Sequence, residues 1–151
     1  MSDISTIYDA IITKVDALFS GKLRIHNPYE LSDNPELITK DSWGLKVETC
    51  DIEDMEFCKL TTTRQFAILF IRQFATIGNK EDAFDAVSKL ILEDQQTLLN
   101  NLYSPTELDQ NSIIDKIDIV NISGIEFTQS NQKKYLFCEI GFKITNSTAI
   151  I

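Results

Sequence analysis

The 151-residue sequence predicts one α+β domain over 1–151, with a mainly antiparallel sheet of about five strands and two main helices in the order α-β-β-β-α-β-β. Three observations point there. Apolar residues recur at three- and four-residue steps in only two segments, near the start and around 80–102. Elsewhere the period is two and the segments are rich in β-branched and aromatic residues. No internal repeat and no Pro/Gly-rich linker divides the chain, whose length suits a single core.

In the first helix Ile4, Ile7, Tyr8, Ile11, Ile12, Val15, Leu18 and Phe19 form the stripe, opposite Asp9, Thr13, Lys14 and Asp16. Ser2 or Asp3 can cap its start, and Gly21 suits a left-handed position past its end. So wide a stripe packs on the chain's own sheet or on another subunit. Residues 22–42 lose the period. Two Asn-Pro steps, Asn27-Pro28 and Asn34-Pro35, disfavour helix before each proline, which predicts a surface loop used for packing or contact.

Trp43, Leu45 and Val47 alternate with Gly44, Lys46 and Glu48 as a half-buried strand. The acidic run Asp51, Glu53, Asp54 and Glu56 reads as a hairpin loop or splayed connection, Phe57 to Thr61 as a short second strand, and Arg64 to Ile77 as a long third. The third has two apolar faces, Phe66/Ile68/Phe70 and Ala67/Leu69/Ile71, so it should be central and covered on both sides. One helix covers one face; a second helix or another subunit must cover the other.

Asn79 can cap the second helix, whose stripe is Ala83, Phe84, Val87, Leu90 and Ile91. The stripe breaks at Asp94-Gln95 and resumes at Leu98, Leu99 and Leu102, so the helix should bend or end there. Ile113 to Phe127 and Lys134 to Ile144 are the last two strands, joined by a turn over 128–132. In the last, Leu136, Cys138, Ile140, Phe142 and Ile144 share one face, and Tyr135, Phe137, Glu139, Gly141 and Lys143 the other.

The chemistry this composition supports is narrow. With 14 Lys+Arg against 23 Asp+Glu the net charge is −9, which repels phosphate backbones and anionic lipid. Cys50, Cys58 and Cys138 include no CxxC pair and read as free buried thiols in a reducing cytosol. The opening Met1-Ser-Asp-Ile-Ser lacks the basic region and cleavage site of a signal peptide, and no apolar run reaches membrane-spanning length. There is no GxGxxG, GxxxxGK[ST], GxSxG or HExxH. Any Ser-His-Asp arrangement would need His26, the one histidine, near Glu30, Asp33 and Asp41 in sequence. Proximity along the chain does not supply that geometry. The acidic run lacks the glycine and closing glutamate of a calcium loop. The expectation is therefore no catalytic residue, no cofactor and no metal. Arg64 and Arg72 bracket the third strand, either solubilising its ends or making ion pairs between subunits.

The loop HNPYELSDNPELITKDSWGLKV, between an amphipathic helix and a strand opening on an aromatic-Gly step, together with the element order and the Gly124–Phe127 GIEF before the final turn, resembles the tail terminator (tail completion) proteins of long-tailed bacteriophages. The resemblance spans roughly residues 4–145. It implies a non-enzymatic structural protein of the virion, assembled in the host cytoplasm. Such a subunit forms a hexameric ring on the head-proximal end of the tail tube, ends tube polymerisation and offers a surface to the head connector. The implied partners are further copies of the chain, the tail tube protein and a connector or neck protein. DNA would pass through without specific binding, and no membrane is involved. Asn27, Pro28, Tyr29, Asn34, Trp43 and Gly44 are the implied interface loop, and Arg64 and Arg72 join them as interface candidates. The family often has Tyr where Trp43 stands. Asp51, Glu53, Asp54 and Glu56 are candidates for a loop facing the lumen or a partner. The alternatives are a neck or head-completion protein of similar architecture, or a small monomeric ligand-binding or enzyme domain using His26.

Overall fold

The computed structural model describes residues 4–25, 28–30, 41–56, 59–74, 80–101, 114–130 and 133–149. Helix α1 spans Ile4–Leu18 and α2 spans Lys80–Asn101. Six strands form one sheet: β1 (Leu23–Ile25), β2 (Ser42–Glu56), β3 (Lys59–Phe74), β4 (Ile114–Ile122), β5 (Glu126–Ser130) and β6 (Lys133–Ala149). A 3₁₀ turn, Pro28–Glu30, lies between β1 and β2. The strand order is β1-β2-β3-β6-β4, with β5 continuing along the β6 edge that β4 occupies. Only β1–β2 is parallel. This is the α+β class and the α-β-β-β-α-β-β order expected, but the strands are distributed differently: β1 lies in the segment read as a loop, the expected second and third strands are joined, and the penultimate strand is broken in two.

Strand β3 is central, and both its faces are buried: Phe66, Ile68 and Phe70 on one, Ala67, Leu69 and Ile71 on the other. Both helices lie on the first face. Ile7, Ile11, Val15 and Phe19 from α1 and Val87, Ile91 and Leu98 from α2 share one core with Trp43, Leu45 and the whole predicted face of β6. Phe19 meets Phe70 edge-on at 5.3 Å. The second face is closed within the chain, where Leu69, Ile71 and Tyr135 cluster with Ile25 and Phe137. α2 lies with α1 on the first face and does not cover this one, and no other subunit is needed to bury it, which corrects that expectation.

Four local readings change. The acidic run is not a loop: β2 continues through it, pairing Asp51 with Thr63 and Glu56 with Lys59. Register shifts between Val47 and Cys50 and between Ile52 and Asp54 break the two-residue period, which hid the strand. The expected second and third strands are one, because Thr61 to Thr63 suits a ladder as well as the residues on either side do. Ile113 to Phe127 is interrupted at Ser123, whose amide donates to the Glu139 carbonyl at 2.9 Å while its hydroxyl accepts from the Glu139 amide at 2.8 Å. Gly21 does not adopt a left-handed backbone; α1 instead closes with a Lys22 amide to Phe19 carbonyl bond of 2.9 Å. The capping residues Ser2, Asp3 and Asn79 lie outside the described residues.

Candidate functional site

The expected interface loop is built around a close approach. Pro28 is buried against Gly44, where an added Cβ would stand 2.8 Å from the Pro28 Cβ. Only glycine lets the 3₁₀ turn sit so near the strand. Seated there, Tyr29 turns its hydroxyl onto the backbone of Val47, accepting from the amide at 2.7 Å and donating to the carbonyl at 3.2 Å. The phenol thus replaces a neighbouring strand for one residue. Trp43 is wholly buried, with the Arg24 guanidinium 5.8 Å from its ring centre. The structure brings Pro28, Tyr29, Trp43 and Gly44 together, but only Tyr29 reaches the surface, at 58% exposed. The buried three position it. His26, Asn27 and Asn34 lie outside the described residues.

Arg64 and Arg72 sit eight residues apart on β3, roughly 26 Å at strand rise, and do different work. Arg72 is engaged within the chain. It grips Asp94 of α2 through Nε (2.9 Å) and Nη2 (2.8 Å), and Asp41 through Nη1 (2.9 Å). Asp41 also accepts from the Gln73 amide at 3.1 Å. Lys22 completes the group, its ammonium 3.0 Å from Asp94. The Asp94 hydrogen bonds hold Arg72 above the ordinary guanidinium value, whereas burial pushes Lys22 down despite Asp94. A recess of about 360 Å³ opens beside them. This clamp takes Arg72 out of any ion pair between subunits.

Lys22, Asp41 and Asp94 were not anticipated as a group, although α2 signalled them. Asp94 and Gln95 occupy core-facing positions in register with Val87, Ile91 and Leu98, so the broken stripe marks a buried polar contact in a continuous helix. Gln95 donates to the Cys138 sulfur at 3.3 Å, and burial raises that thiol's pKa. Cys138 is buried as expected. Cys50 is exposed, because β2 there has run beyond the helices, and Cys58 lies outside the described residues.

Arg64 lies where β2 and β3 leave the cover of the helices. Its Nε is buried without a hydrogen-bond partner, and it lines a recess of about 200 Å³ with Ile4, Ser5, Tyr8, Val47 and Phe66. Beyond it β2 and β3 continue as an arm carrying Asp51 and Glu53, with Asp54 and Glu56 in the same strand. Among the described residues no group of acidic, histidine or cysteine side chains could hold a metal, and no helix is long and apolar enough to cross a membrane. The sequence matches no protein-family model and no curated protein.

Proposed function

We propose that this chain is a ring-forming structural subunit of a long-tailed phage that caps the head-proximal end of the tail tube, ends tube growth and presents a surface to the head connector. It works by contact, without catalysis or cofactor. The observation that carries the reading is a sheet with two dissimilar open edges. On one side, β2 runs from Glu48 to Glu56 with β3 on its inner side and no strand on its outer side among the described residues. On the other, β4 and β5 expose Val120, Ile122 and Phe127. Unlike edges meeting head to tail generate a ring when the rotation closes. Among the described residues of the expected interface loop, Tyr29, held over the β2 edge, is the one exposed to a neighbour.

Charge supports the same reading. Six copies of −9 carry −54, and an acidic wall lets DNA slide without sticking. The rival, a small-ligand site, is expected at His26, which lies outside the described residues. The recess beside Lys22 offers it little, because the cations there, Lys22 and Arg72, are already paired with Asp41 and Asp94.

Native mass spectrometry and electron microscopy of the purified chain, alone and with purified tail tubes or connectors, test the proposal. The expected result is a six-copy ring, free or on the tube end, that stops tube elongation. Binding to connectors alone would move the chain to a neck role. A solitary protomer indifferent to both would overturn the reading.

A further inference from the structure

We propose a second self-association surface, distinct from the sheet edges: the helix-side face of the β2–β3 arm pairs two copies about a twofold axis, each arm lying over the other copy's Arg64 recess. Cross-strand partners share a face, and the register aligns Cys50 with Arg64, Ile52 with Thr62 and Met55 with Leu60. Arg64, Thr62 and Leu60 alternate in step with Phe66, Ile68 and Phe70, so this is the face the helices cover further along β3. On the arm its β2 side is open: Ile52 and Met55 are each 64% exposed and Cys50 is exposed beside them, while Leu60, Thr62 and Arg64 on β3 are half-buried. Apolar surface left open in continuity with the core marks a contact site.

Charge names the occupant. The register shift between Ile52 and Asp54 leaves Glu53 without a cross-strand partner, exposed at the bulge that lies along the chain between Ile52 and Met55. Among the described residues no cation pairs with Glu53 and no carboxylate pairs with Arg64. A second copy supplies both missing partners at once, with aliphatic side chains for the apolar recess and a carboxylate for its guanidinium. Arm and recess adjoin on one face, so a copy that inserts its arm receives its partner's in return. That reciprocity is an isologous contact, and it makes every interaction twice. Both sheet edges stay open in the pair, so this contact adds to ring closure and does not depend on it.

Sedimentation equilibrium of the full chain and its variants tests the pairing. Wild type should show dimers, or even-numbered assemblies built from them. Arg64→Glu and Glu53→Lys should each weaken the pairing by about tenfold or more, and the double variant should recover it. Glu53 and Ile52 are exposed, so Glu53→Lys and Ile52→Asp act without threatening the fold; circular dichroism of each variant checks this. Rings or monomers indifferent to all these substitutions would overturn the pairing and leave the ring reading standing. Dimers that respond as described but never form rings or bind tubes would support the pairing and sink the ring.

Discussion

Lys22 shows how one side chain can cost stability while completing a structure. Burial lowers its pKa from 10.5, and the Asp94 contact only partly opposes this. Below the lowered value Lys22 is charged in both folded and unfolded chains, and the burial cost is fully present. As pH rises from there toward 10.5 the folded state releases the proton first, so stability increases. Wild type should gain on Lys22→Met through that alkaline window and no further above it, as read by denaturant unfolding at stepped pH. The glycines give a second contrast. Gly44→Ala drives a methyl into Pro28, whose ring cannot swing aside, and should cost about 1–3 kcal/mol. Gly141→Ala meets the Asn121 side-chain oxygen at 2.5 Å, the end of an exposed, flexible group. It should cost clearly less in the same melts. The sequence placed both glycines in strands and marked Gly44 through the resemblance, but what a methyl group would meet at either position was not legible there.

Among the elements, α2 is held by more than its apolar stripe. Asp94 ties it to the end of β3 through Arg72 and to the segment after α1 through Lys22, at a place where the helix offers no large side chain. Removing one partner of a buried ionic group leaves the others uncompensated. Asp94→Ala should therefore lower stability by about 3–5 kcal/mol in thermal or chemical unfolding, and a loss under 1 kcal/mol would show the clamp is peripheral. The helices were legible because a long period-3.6 stripe tolerates one polar interruption. The early strands were less so. Two register shifts in β2 moved its side chains out of alternation, and the acidic run then looked like a loop. The expected interface loop was half legible. Pro28, Tyr29, Trp43 and Gly44 were singled out together, yet which of them is buried depends on how Pro28 stacks on Gly44.

At the scale of the whole molecule, the proposed ring makes a prediction about charge. An assembled ring of six should leave duplex DNA unretained at low salt, as an electrophoretic shift would show. Retention that falls steeply as salt rises would mean that basic side chains line the channel. The long strands β3 and β6, paired from Lys59 with Ala149 to Phe74 with Lys134, form the spine on which the clamp, the Tyr29 turn and the β2–β3 arm are spaced.

Composition and periodicity by themselves determined the α+β class, the two helices, a central strand buried on both faces and the acidic charge, because each follows from local pattern or simple counting. Tertiary structure alone decided that both helices share one face, that Arg72 turns inward to Asp94 while Arg64 has no carboxylate partner among the described residues, and that the acidic run forms a strand reaching past the core. Those outcomes depend on strand register and on contacts between residues far apart in the chain, and a one-residue slip in pairing sends a side chain to the opposite face.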